Sequence, residues 1–226
     1  IFASFLGLFS REMWSIVVYP CVLSTRGMVC GVFCARLSSG LWIGTVRPSF
    51  LRNTRRFRAL YSSTMVLSAA SALLMEVSVS FYGLAWGMRG SDIPDMTAAV
   101  LTTMALAFFT ATPFSAFVAF ASFKRGLDPD IITYPVSSVA SDIIVTSCYV
   151  VALLLVTTGP YGRVVAYVVG SSFLLASLVL AVRERGDPTF RRALRESLAS
   201  SALVVAISGL TGTLLGEMSL AVGLTP

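Results

Sequence analysis

The chain predicts an all-α, polytopic transmembrane helical bundle, and three observations carry that expectation. Only 12% of its 226 residues are charged, against about 25% in a soluble domain; 56% are hydrophobic and the mean hydropathy is +0.83. Several apolar runs reach about 20 residues, the length that crosses a bilayer as a helix. Those runs do not alternate apolar and polar residues in segments of about ten, as the strands of a membrane β-barrel would. The same composition argues against a soluble enzyme and against intrinsic disorder.

Ile1–Phe9 is apolar but too short to span, and reads as the second half of a helix. The chain opens inside it, which leads us to expect that further residues precede Ile1. Trp14–Val46 is long and carries Pro20, Gly27, Gly31, Gly40, Gly44, Arg26 and Arg36. That mixture predicts a kinked or broken helix with a polar inner face. Arg47–Arg58 is a loop with five arginines and no acid. Leu60–Trp86 is the next span, with Glu76 inside it, followed by a turn over Met88–Asp95. Met96–Phe123 spans again and ends at the polar turn Lys124–Asp130. Ile131–Thr158 spans with Asp142 near its middle; Gly159–Arg163 turns and Val164–Val182 returns. Arg183–Glu196 is a charged loop, and Ser197–Leu224 is the last span.

Lys and Arg total 17 and Asp and Glu 11, a net charge of +6. In a membrane chain this excess reports topology rather than a nucleic-acid partner. Placing Arg47–Arg58, Lys124–Asp130 and Arg183–Glu196 on the cytoplasmic side puts 12 of the 17 basic residues inside and three outside. That asymmetry predicts a multi-pass protein of the cell membrane with those loops cytoplasmic. A weak repeat accompanies it. Gly7, Glu12, Met13 and Val17 match Gly212, Glu217, Met218 and Val222 at an offset of 205. A terminal helix that repeats an opening helix is a feature of parallel-repeat transporters.

The residue inventory excludes much chemistry. There is no histidine, hence no histidine zinc site, no Ser-His-Asp triad and no imidazole shuttle. There is no P-loop, no HExxH and no paired-aspartate helix motif, so no enzyme and no cofactor are expected. Cys21, Cys30, Cys34 and Cys148 lie in apolar surroundings and read as small buried hydrophobes. Of the acids only Glu76 and Asp142 lie deep in a span. A carboxylate there costs roughly 2.5–3.5 kcal/mol and marks an ion or proton route. Helical spacing puts Ser138, Asp142 and Thr146 on one stripe, with Ser141 adjacent and Pro135 and Tyr149 at its ends. These oxygens suit a hard cation such as Mg²⁺, which keeps several waters and needs only one or two carboxylates. The structural alternative is an Asp142 bonded to Arg26 or Arg36 across the bundle. Glu76 has the poorer surroundings: Ala72, Leu73, Val79 and Ser80 lie a turn away.

Two segments resemble a known family. Gly126–Asp142 carries a Leu-Asp-Pro turn (Leu127–Pro129), then Pro135, then Asp142 seven residues later. It resembles the segment joining the fourth and fifth helices of MgtE-type magnesium transporters. Pro20–Gly44 is similar to the second helix of that family's archaeal and solute-carrier-family-41 branch. The resemblance implies a five-helix unit over 1–158, its first helix truncated, with an ion pore near a twofold or pseudo-twofold axis. It implies Mg²⁺ as the transported ion, Asp142 as the pore aspartate, and a second-helix glycine motif at Gly27. The asparagine that follows that glycine in the family is Met28 here. It also implies a linker helix and loop over 159–196, and a terminal helix over 197–226 resembling the first helix of a second unit. The expected partners are the lipid bilayer, a divalent cation and either a second copy or a second MgtE-like unit. Two other functions fit the residues: a non-transporting membrane subunit completed by a partner, and a proton-coupled carrier using Glu76 and Asp142.

Overall fold

A computed structural model describes residues 13–50, 53–85 and 90–221. The described residues form six long helices: α1 (Met13–Trp42), α2 (Arg55–Ala85), α3 (Ile93–Lys124), α4 (Pro129–Thr157), α5 (Pro160–Glu184) and α6 (Pro188–Ala221), with one 3₁₀ turn at Gly90–Asp92. All six are long and apolar enough to cross a membrane. The chain is a multi-pass helical membrane protein. The half-helix Ile1–Phe9 lies outside the described residues, as do Gly7, Glu12 and Val222 of the repeat.

The helix ends follow local chemistry. Gly126, with φ of +71°, closes the turn after α3, a conformation that costs glycine no Cβ clash. Asp128 then caps α4 by accepting the Asp130 amide at 2.9 Å, with Pro129 at the first helical position. Pro160 opens α5 in the same way. The expected break in the second segment does not occur. α1 runs unbroken through Pro20, Gly27 and Gly31 to Trp42. Arg26 finds partners on the two neighbouring helices, and the helix continues past Pro20 with only the one backbone bond that proline cannot donate.

α1 and α3 form the centre. α4 lies against both; α6 lies on the other side, in the cleft between α1 and α2; α5 covers α3, α2 and the end of α4. The main core holds Val18, Met75, Met104, Phe108, Tyr149 and Leu153, all fully buried. A second cluster, Phe33, Leu37, Leu41, Phe57 and Phe120, fills the basic end of the bundle. All four cysteines are buried and free, as their surroundings suggested. α5 buries only Ala166, Gly170, Phe173 and Ser177, a narrow stripe at spacings of four and three. The Thr102 hydroxyl donates to the Ala166 carbonyl at 2.9 Å across that seam.

α6 is held by close approach. Ser71 and Ser201 hydroxyls meet at 2.6 Å, and Arg36 pairs with Glu196 at 3.1 Å. A Cβ on Gly212 would strike the Val17 carbonyl, whereas a Cβ on Gly27 would meet nothing within 4 Å. Gly212→Ala therefore costs about 1–3 kcal/mol of overpacking and lowers the thermal midpoint in detergent. Gly27→Ala leaves it unchanged or raises it slightly. Equal midpoints for the two variants would contradict this seating of α6.

Candidate functional site

Asp142 is the fourteenth residue of the 29 in α4, about 20 Å along an axis of about 43 Å. It lies near mid-span, as the sequence predicted. Its side chain is exposed on the outer face of α4, beside Val139 and Ile143. Among the described residues it has no side-chain hydrogen bond and no ion pair. Arg26 and Arg36, the two cations able to neutralise it from α1, are committed elsewhere. Arg26 is 1% exposed and donates to Ser68 Oγ at 3.2 Å, Ala107 O at 3.0 Å and Thr112 Oγ1 at 2.6 Å. Arg36 pairs with Glu196. The structural alternative for Asp142 is therefore not realised within this chain.

The expected stripe divides. Ser138 is half-buried next to the Asp142 face. Thr146 is buried: its hydroxyl donates to the Asp142 carbonyl at 2.7 Å and lies 3.0 Å from Tyr19 Oη. It anchors α4 to α1 rather than pointing outward. Ser141 faces inward and is 2% exposed. With Thr133 and Ser137 it forms a line of buried hydroxyls at i, i+4 and i+8 that make no close hydrogen bond among the described residues, Ser141 and Ser137 facing the Cys30 and Cys34 thiols of α1. Thr25 on α1 makes none either. Buried hydroxyls in this state call for water. The spacing of Thr133, Ser137 and Ser141 was legible in the sequence; sequence reasoning weighed Ser141 alone and missed the other two, and Tyr19.

Gly27 lies on the α1 face that meets α4. Gly31 approaches Tyr134, Tyr19 meets Thr146, and Tyr149 donates to the Ser15 carbonyl at 2.7 Å. The same antiparallel register sets Gly27 level with Ser138, and Asp142 level with Leu23 and Ser24. Gly27 is half-buried with open space over its Cα. A polar strip of Ser24, Gly27, Ser138 and Asp142 thus runs along the α1–α4 seam on the outside of the bundle.

Glu76 is not brought to this strip. It sits on α2, which packs on α1, α3, α5 and α6. Thr97 on α3 donates to its Oε1 at 2.5 Å, while Oε2 is buried without a partner among the described residues. No three Asp, Glu, Cys or His side chains cluster among the described residues. One chain thus offers one carboxylate at the strip. A single carboxylate with hydroxyls and glycine backbone nearby can hold a hydrated hard cation through its waters, but not a dehydrated one.

Comparison with known proteins bears on this geometry. The family model for MgtE, divalent cation transporter, matches residues 19–152, from the first third of α1 to near the end of α4. No curated protein and no solved structure matches the chain. The matched stretch covers more than half of the chain and holds Gly27, Ser138, Ser141, Asp142 and Thr146, so the chain belongs to the MgtE family of divalent cation transporters.

Proposed function

We propose that this protein carries Mg²⁺ across the cell membrane along the α4 face that bears Asp142. One observation carries the reading: a mid-span carboxylate is exposed and unpaired, while both nearby arginines are committed elsewhere. A carboxylate facing lipid would cost about 2.5–3.5 kcal/mol. That cost disappears if the face meets a second unit across a water-filled seam. Two such faces, from a second copy or a second MgtE-like unit, bring two carboxylates together and favour divalent over monovalent ions. Ser138 orients waters of the ion at the seam. Ser141 and Thr146 support the helix from behind, and Gly27 leaves room for the hydrated cation.

Trp42 reaches Asp128, Arg55 approaches Asp187 and Arg36 pairs with Glu196, so the three basic loops share one end of the bundle. The positive-inside rule makes that end cytoplasmic. α6 sits against α1 and α2 of its own chain. This supports a terminal helix that packs on the 1–158 unit of its own chain, with α5 as the linker. The proton-coupled reading loses its pair of acids, because Glu76 is held by Thr97 on another side of the bundle.

The test is flux into liposomes holding the purified chain. Mg²⁺ influx well above Na⁺ influx, unaffected by a pH gradient, is the expected result. Flux that follows the pH gradient would favour a carrier. No flux, together with a copurifying membrane protein, would favour the non-transporting subunit.

A further inference from the structure

A groove of about 420 Å³ lies between α2, α3 and α5 at the basic end of the bundle, away from Asp142. Arg58, in the first turn of α2, and Arg183, in the last turn of α5, stand at its mouth. Both are exposed, and neither is ion-paired among the described residues. Glu184 also lines the mouth, which leaves the lining one net positive charge. Arg55, three residues before Arg58, is paired with Asp187 and so adds little to the field at the mouth. One wall is aromatic: Phe50 meets the Phe120 ring edge-on and Phe57 meets it tilted, at 5.1 Å and 5.7 Å between ring centres. The groove reaches Pro113, eleven residues before the end of α3 and so about 16 Å into the bundle. Leu180 lines it from α5.

We propose that this groove binds an anionic phospholipid, its phosphate between Arg58 and Arg183 and an acyl chain running toward Pro113. Two cations at the membrane interface above an apolar trough complement an anionic head with an apolar tail. A free phosphate would use the arginines and leave the trough empty. A zwitterionic lipid would fill the trough but gain little from the charge. Neither arginine has a part in the ion path, so the site stands or falls apart from the transport reading.

Native mass spectrometry of the full chain, titrated with phosphatidylglycerol or phosphatidylcholine, reads it directly. We expect phosphatidylglycerol to be retained in preference. The double variant R58Q/R183Q loses about ten-fold or more of that retention, as removal of two interfacial cations implies. R47Q/R195Q removes the same charge from exposed sites outside the groove and changes retention less than about two-fold. Ser62→Trp keeps both cations but fills the trough, and also weakens retention. Millimolar inorganic phosphate does not displace the lipid. Equal losses from the two double variants would overturn the proposal, since only overall charge would then matter. So would wild-type retention in Ser62→Trp, or displacement by inorganic phosphate.

Discussion

Asp142→Ala is expected to abolish divalent-cation flux while leaving the fold intact. The side chain is exposed and makes no hydrogen bond or ion pair among the described residues, so nothing in the bundle depends on it. At a water-filled seam the carboxylate carries little insertion cost to relieve, so the thermal midpoint should hold. The effect on the ion is much larger. Two unit charges 4 Å apart attract by about 4 kcal/mol at an effective dielectric of 20, and a divalent ion doubles that. Lost hydration cancels much of it, yet each 1.4 kcal/mol that survives is about ten-fold in rate. A loss of at least about a hundred-fold follows if two such carboxylates meet at a seam. Asp142→Asn should behave like Ala although it keeps the size, because it loses the charge and turns one acceptor oxygen into an NH2 donor. Liposome flux beside a detergent melting curve checks both halves. Full flux in the variant would end the pore reading; loss of flux together with loss of folding would make Asp142 structural.

Arg26→Ala should give the reverse pattern, a large loss of stability. Arg26 is among the largest fully buried side chains and joins three helices from the middle of α1. Its guanidinium is solvated by oxygen dipoles on α2 and α3, with no acid bonded to it among the described residues. Truncation leaves a cavity the size of a long side chain, which costs about 2–5 kcal/mol in well-packed sites. It also strips Thr112 of a 2.6 Å partner, while Ser68 keeps its bond to the Thr64 carbonyl. Together these amount to about 3–5 kcal/mol. Arg26→Met restores volume without burying a charge and should recover a good part of that. Melting midpoints of the three proteins decide the matter. An Ala variant as stable as wild type would show that the tripod holds nothing.

The two predictions separate two polar groups that are hard to tell apart in the sequence. Both Arg26 and Asp142 are charged residues near the middle of an apolar helix, and one pairing the other was a reasonable expectation. Burial separates them: Arg26 points into the α1–α2–α3 junction, Asp142 points out of α4. The sequence showed the periodicity of each helix but not the rotation of that helix about its axis. That rotation depends on which neighbours fill the other faces. Thr146 illustrates the same point. Its spacing from Asp142 put it on the pore stripe, yet its hydroxyl bonds the Asp142 carbonyl of its own helix and meets Tyr19, which belongs to another helix.

By itself the sequence determined the helical membrane class, the order of the six described spans and the approximate bounds of all but the last, the charge asymmetry and the mid-span position of Asp142. These depend on composition and on distance along one chain: a bilayer selects apolar runs of a given length, and a helix converts residue count into depth. α6 begins at Pro188, inside the stretch expected to be a charged loop up to Glu196, because a helix can carry its charges on exposed first turns. Only the tertiary structure decided that α1 is unbroken, that Arg26 and Arg36 are committed away from Asp142, that Glu76 meets Thr97, and that α6 seats between α1 and α2. Those outcomes depend on contacts between residues far apart in the chain, such as Arg36 with Glu196, 160 positions away. Side-chain shape and hydrogen-bond geometry settle such contacts, and the linear pattern of apolar residues does not encode them.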